Sequence, residues 1–505
     1  MAGWDPAPAR SYHERTKHTY ASVHGVPQRL DRGELPNPFK LYRGLEALPL
    51  PSERSRPDAR ALDTLAVGDQ PADGELDLAG LAWILRWGAG VVRSRSSPGG
   101  ETYHFRAYSS AGALYPLELY VACAPLPDLE RGLYHFHPCE LALRRLRPSD
   151  ARASLAEAAG EPGLDEAAAV LVVTGIMSRS AWKYGARAYR HLFWDAGTML
   201  ANLVALAASA HLGPRLLTAF ADGDVNRLLG VDGEREAALA LLAIGRAGGA
   251  RRGGRLEPLE PDVEPVSPRG RRYREALELH AASCLHDADE VRAWRAAAGS
   301  LGGGSSAEVE SAARAGVALS RDPLEAVILR RGSTREFALV LVPVAEAAAI
   351  LTRAAGPLPA DVQPLNDLYL SAHALDGLER GANAFSPPDR FQPTRRGNLR
   401  RAAGYACLEQ WLGATSAATV FLMVDLERVL MALGSRGYRA ASLDAGVRAG
   451  RIYLGAYAQG LGATGLTFYD DEVTKLVAPG RQVQPMMCVA IGVDARRPGL
   501  RRLDR

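Results

Sequence analysis

Tyr189-Arg190 and Asp195-Ala196-Gly197 return as Tyr438-Arg439 and Asp444-Ala445-Gly446, with an unchanged gap between the two pieces (438 − 189 = 249). Outward from that stretch, Leu129-Glu130-Arg131-Gly132 returns as Leu378-Glu379-Arg380-Gly381 at the same interval. Leu217-Thr218 returns as Leu466-Thr467, and Asp222 as Asp471. Chance supplies one such match; several clusters at a single offset mean a repeated unit. The unit has the size of a domain, so the chain reads as a fused dimer and not a solenoid. Around the repeated pieces, residues 189–211 and 438–459 read as long helices that are apolar on nearly every side. Such helices are stable only when buried, and an interface between two halves is the natural place for them.

The 505 residues are enough for two cores, and 47% apolar with 23% charged residues is ordinary for a globular protein. A net charge of +3 without a long basic block gives no case for nucleic acid. Cys123, Cys139, Cys284, Cys407 and Cys488 show no CxxC spacing, which argues against a disulfide framework or zinc ribbon and suits a reducing cytoplasm. No apolar leader or membrane-spanning run is read from the sequence, so the expectation is a cytoplasmic protein. Residues 1–70 read as a polar, Pro-rich arm, 71–246 as the first domain, 247–306 as a linker with one helix at 273–298, and 307–505 as the second domain. Helix is expected at 78–87 and strand at 117–122, 167–173 and 486–493, with 239–244 closing the first half. This alternation points to an α+β fold.

Four stretches carry chemistry. Arg331-Gly332-Ser333-Thr334-Arg335 offers two guanidiniums and a hydroxyl, a set suited to an anion, although a solvated basic helix end has the same composition. Tyr108-Ser109-Ser110-Ala111-Gly112-Ala113-Leu114-Tyr115 precedes a strand, and its small residues let backbone N–H groups approach a flat ring or a phosphate. Lys183-Tyr184 supplies two groups able to act as acid or base. A KY dipeptide is usually a solvated Lys beside a packing Tyr. In the second copy, however, the pair becomes Ala432-Leu433 while Tyr189, Arg190 and Asp195 are kept, so the pair is not needed to build the helices. The fourth stretch, Gly460 to Phe468, is glycine-dense but follows a helix, which excludes a dinucleotide-binding fingerprint. His135 and His137 alternate on a strand without a third ligand, so no metal is expected.

Taken together, these motifs resemble the nitroreductase-type flavoprotein superfamily, and within it the thiazoline/oxazoline dehydrogenase branch. The opening Tyr12-His13-Glu14-Arg15-Thr16-Lys17 is similar to the N-terminal arm of that branch. The resemblance implies an α+β fold dimerised through long helices with FMN at the interface. By position, Arg331, Ser333 and Arg335 would hold the phosphate, ribityl and pyrimidine side. Gly465, Leu466 and Thr467 would run along the ring, and Ser109, Ser110 and Gly112 would come from the other half. Lys183-Tyr184 matches the catalytic pair of the branch.

The departures are informative. The first half carries no RxSxR, only SERSRPDARALDT, and in the second half Pro359 and Asp361 replace Ser110 and Gly112. One complete FMN site per chain, between the two domains of an intrachain pseudo-dimer, is therefore expected. The implied reaction is oxidation of a peptide azoline to an azole. Its implied partners are a modified precursor peptide and a cyclodehydratase. The rival readings are an NAD(P)H-dependent nitro- or quinone reductase and a flavin-free scaffold subunit of a peptide-modifying complex.

Overall fold

The computed structural model describes residues 4–25, 30–52, 57, 59–97, 99–249, 257–301 and 319–496; the expected start of the second domain at 307 lies outside them. Two antiparallel sheets form the frame. The first is built from β1 (Ala47–Pro49), β2 (Leu117–Cys123), β3 (Gly132–His137), β4 (Ala142–Arg147), β5 (Ala169–Ile176), β6 (Arg215–Leu217) and β7 (Glu236–Ile244), in the order β1-β4-β3-β2-β5-β7-β6. The second uses β8 (Asp367–Ala372), β9 (Gly381–Ser386), β10 (Arg390–Arg396), β11 (Ala418–Val424), β12 (Gly462–Gly465) and β13 (Gln484–Gly492), in the order β10-β9-β8-β11-β13-β12. Apart from the edge strand β1 the two orders match, and so does the register. Tyr120 lies opposite His135 and Val172, and 249 residues later Tyr369 lies opposite Ala384 and Phe421. Both faces of each sheet are covered: Leu119, Val121, Leu171 and Val173 face the central core, while Tyr120, Ala122, Val170 and Val172 face an outer one. That is why these strands read as continuous apolar runs. The expected strands and the helix at Leu78–Ala89 are present, with ends displaced by a few residues.

The central helices, Ala188–Ser209 and Leu426–Ala458, cross at their glycines. A Cβ on Gly197 would run into Gly446 and Val447, and one on Gly446 would come 2.9 Å from the Phe193 carbonyl oxygen. The repeated Asp-Ala-Gly is thus in part a contact point on the pseudo-twofold axis, where only the absence of a side chain lets two backbones meet. The second central helix starts before the expected 438, running through a break at Gly434, whose φ is 59°. The stretch Met177–Ser209 is in fact long and apolar enough to cross a membrane, contrary to the reading of the sequence, but all of its apolar window is buried between the lobes.

Two reciprocal ion clusters join the lobes. Asp470 of the second lobe accepts from Arg187 at 2.9 Å, Arg190 at 2.7 Å and the His18 N–H at 2.9 Å. Asp222 of the first accepts from Arg436, from Arg439 at 2.8 Å and from the Leu285 N–H at 3.0 Å. Each aspartate opens a helix, where a carboxylate is favoured. The sequence interval equated Asp222 with Asp471. The geometry equates it with Asp470, because one residue fewer separates Thr467 from that helix, and Asp471 instead meets Lys17 at 3.0 Å.

The linker also departs from expectation. Its single helix is two, Arg274–Ala282 and Ala288–Ser300, because the Asp287 carboxylate caps the N–H groups of Asp289 and Glu290 and starts a new helix. The first of them mirrors the N-terminal arm. His280 meets Tyr189 at 3.1 Å as His13 meets Tyr438 at 3.3 Å, and the Ser283 carbonyl accepts from Arg436 as the Thr16 carbonyl accepts from Arg187. The interval here is 267 residues (280 − 13 = 267).

Candidate functional site

The serine loop leaves the hairpin Val91–Ser96/Thr102–Arg106 and enters β2. Three of its residues have left-handed backbone: Gly112 (φ 62°), Ala113 (φ 54°) and Tyr115 (φ 47°). The two non-glycines are strained, and the surroundings must hold them. Asp195 does so from the first central helix. It accepts from Ser110 Oγ at 2.5 Å and the Ala111 N–H at 3.0 Å, while Ser110 Oγ in turn accepts from the Tyr115 N–H at 3.0 Å. One turn on, Thr198 donates to the Ser109 carbonyl at 2.5 Å. Gly112 is thereby set against the candidate pair, since a Cβ there would lie 2.6 Å from Tyr184 Oη and 3.1 Å from Lys183 Nζ. The structure brings together two stretches that are seventy positions apart in the chain.

Lys183 and Tyr184 end the helix Met177–Tyr184, which stops at Gly185. Arg179, one turn earlier, anchors this helix to buried Glu118 at 2.5 Å, and Glu118 also holds His135 at 2.9 Å. Burial, then the nearby Asp195, raises the Tyr184 hydroxyl above its ordinary range, so it keeps its proton at neutral pH. Behind it, His191 packs edge-on at 4.3 Å and stacks on Trp194 at 4.9 Å. Burial, then Arg187, His18, Arg190 and Lys183, keep His191 neutral. Both His191 ring nitrogens and Trp194 Nε1 are buried without a hydrogen-bond partner among the described residues. Sequence reading missed His191 and Trp194. The repeat holds the signal, because at the +249 positions they become Ala440 and Leu443 while the structural residues persist.

The second lobe supplies the opposite wall. Trp194 clusters with Phe337, Leu466 and Phe468. Thr467 Oγ1 is buried and has no partner among the described residues. Gly465 is exposed, its N–H given to the Tyr453 hydroxyl, and the Leu466 N–H donates to the Cys488 carbonyl at 3.1 Å. Ser333 and Arg335 are exposed, and their side chains have no partner among the described residues. Arg331 differs from expectation. It is buried and donates to the carbonyls of Ala107 at 3.3 Å and Arg106 at 3.1 Å, so its guanidinium clamps the root of the serine loop. The two lobes therefore meet here through Arg331 at the root of the serine loop and through Trp194 against Leu466 and Phe468. No cluster of potential metal ligands occurs among the described residues.

Residues 76–246, all in the first lobe, match the model of the nitroreductase family. The chain is 30% identical over 172 residues to a Methanocaldococcus jannaschii protein described as the nitroreductase MJ1384, a match covering 34% of this chain and 81% of that one. The chain belongs to the nitroreductase family. Another relative is the microcin B17-processing protein McbC of Escherichia coli, 26% identical over 162 residues, which are 31% of this chain and 59% of McbC. A crystal structure from Anabaena variabilis described as a nitroreductase superposes with a TM-score of 0.74 at 24% identity, covering 96% of this chain and 99% of that one. The two-lobed nitroreductase fold is thus found in a single chain elsewhere.

The other pseudo-symmetric position of this chain is filled by its own side chains. Asp361, at the place of Gly112, accepts from the Thr218 N–H at 2.8 Å, Thr218 Oγ1 at 2.9 Å and the Ala219 N–H at 2.9 Å. Thr218 is the counterpart of Thr467, whose hydroxyl is free of such a partner. Arg451 donates to the Gly356 carbonyl at 2.9 Å, the counterpart of the Ala107 carbonyl that Arg331 and Asn202 hold in the first lobe. The linker helix Ala288–Ser300 covers the rest, with Arg295 3.5 Å from Asp361 and Trp294 donating to the Leu433 carbonyl at 3.0 Å.

Proposed function

We propose that the chain is an FMN-dependent dehydrogenase that oxidises an azoline ring in a modified peptide to the azole. The observation that carries this reading is the meeting of Gly112 with Lys183 Nζ and Tyr184 Oη, from which His191 and Trp194 lead to Phe468 of the second lobe. The residues fit the cofactor: unpartnered Ser333 and Arg335 would take its anionic and carbonyl groups, the buried Thr467 hydroxyl one more polar atom, and exposed Gly112 and Gly465 leave room for a flat ring. Arg331 would serve at one remove, by fixing the serine loop. Bound FMN supplies the hydride acceptor for the oxidation.

The chain's own residues handle the proton. Tyr184 keeps its hydroxyl proton and can hydrogen-bond to the substrate ring, and the Lys183 amine, in its unprotonated form, would take the Cα proton. Likeness to McbC, a microcin-processing protein, supports a peptide substrate, and a cyclodehydratase is the class of enzyme that would form the azoline beforehand. The test is a visible spectrum of the purified protein followed by incubation with an azoline-bearing peptide. One flavin per chain and a mass loss equal to two hydrogens are expected. A colourless protein that ignores added FMN would instead indicate a scaffold subunit. Rapid bleaching by NAD(P)H without peptide would indicate a nitro- or quinone reductase.

A further inference from the structure

Asp195 is a buried carboxylate with an unusual deficit. It fastens a loop that contains strained left-handed residues, yet no Lys or Arg pairs with it among the described residues. Its counterpart shows what is missing. Asp444 also gathers the donors of the segment before its sheet, from the N–H groups of Leu365 at 3.0 Å and Asn366 at 2.9 Å, but it has Arg448 at 3.0 Å. The position of Arg448 is Met199 in the first lobe. The groups set against Asp195 are Tyr108 and Tyr115 on the loop and Tyr184 on the adjoining helix, with the Arg331 guanidinium beyond Tyr115. His191 precedes it by one turn and is neutral. The second central helix passes at Gly446 and Val447, which are uncharged.

We propose that Asp195 is the positioning residue of the serine loop, fastening it while the carboxyl carries a proton and slackening it on ionisation. Two donors are too few to replace the water that an ionised carboxylate loses on burial, and no cation makes up the rest. Opening the loop hydrates the group, so opening is linked to proton release. Burial, opposed by Ser110 and then Ala111, accordingly pushes the carboxyl up to about 7. A carboxyl in water titrates near about 4 and the closed loop holds its proton up to about 7, so closure is strongest below about 4, weakens as pH rises from there to about 7, and changes no further above it. Only the link from loop to flavin rests on the function proposed above.

The experiment uses the full chain from acidic pH, near about 4, to mildly alkaline pH. Amide exchange of residues 108–116, corrected for the intrinsic rate, is followed beside the FMN dissociation constant from flavin fluorescence. In the wild type, protection should fall by roughly tenfold per pH unit between about 4 and about 7 and level off above that, and flavin affinity should fall with it. Asp195→Asn keeps an acceptor for Ala111 but cannot ionise, and should flatten both curves. Ser110→Ala, at a half-buried loop position, removes a donor and should move the midpoint upward; it carries the test if the Asn variant fails to fold. Equal slopes in the wild type and Asp195→Asn, or an unmoved midpoint in Ser110→Ala, would overturn the proposal. A carboxyl-dependent exchange slope without any FMN binding would leave the latch standing and remove the flavin reading, whereas FMN binding whose pH slope ignores Asp195→Asn would do the reverse.

Discussion

Replacing Asp361 by Ala probes the assignment of one closed and one open site. The carboxylate accepts three hydrogen bonds, two from backbone N–H groups, at 2.8–2.9 Å, and lies 3.5 Å from Arg295. Hydrogen bonds to an ionised group contribute about 1.5–3 kcal/mol each, and each buried N–H left without an acceptor costs about 1–3 kcal/mol. These terms overlap, and breaking a buried charged contact costs about 3–5 kcal/mol as a whole. The variant should therefore lose about 4 kcal/mol in urea denaturation at neutral pH. Its flavin-to-chain ratio, read from the visible spectrum, should nevertheless stay at one. Arg451, Pro359, Ala432 and Leu433 still occupy or fail to furnish the second site after Asp361 is gone. A loss below about 1 kcal/mol would mean that Asp361 is solvated and seals nothing. A ratio of two, in the wild type or the variant, would refute the reasoning outright.

Lys183→Ala should keep its flavin and lose about 10²–10⁴-fold in azole formation, the usual size of a general-base contribution, measured by peptide mass spectrometry. Arg335→Ala should weaken FMN binding by roughly ten- to a hundredfold, consistent with about 1.5–3 kcal/mol for a charged hydrogen bond, read by flavin fluorescence. Asp470→Asn leaves Arg187 and Arg190 buried together and should cost about 3–5 kcal/mol in urea denaturation. Burial raises the Asp470 carboxyl, but Arg187 and Arg190 outweigh it and hold the group well below its ordinary range. Its stabilisation is thus full above about 4 and lost as pH falls below that, a loss the Asn variant should lack.

The repeat, the strands and the central helices were legible in the sequence, because each depends on local pattern. Sheets covered on both faces need unbroken apolar runs, and helices buried between lobes need apolar residues all round. The candidate pair could be singled out by comparing the copies, since Ala432-Leu433 shows what the fold tolerates at those positions. What depends on distance through space could not be read. Arg331 looked like a free cation and is spent on two carbonyls of the other lobe. The linker helix looked like a connection and mirrors the N-terminal arm at a different interval from the main repeat. Asp195 belongs to the repeated motif, but its two lobes give it different neighbours, Met199 in one and Arg448 in the other. Sequence by itself determined two like lobes with unlike loops; only the tertiary structure decided that Asp361 is tied down at the one pseudo-symmetric position while the Thr467 hydroxyl is left without a partner at the other. Residue type limits the interactions a group can make, and the partners that happen to lie within about 3 Å decide which of them it does make.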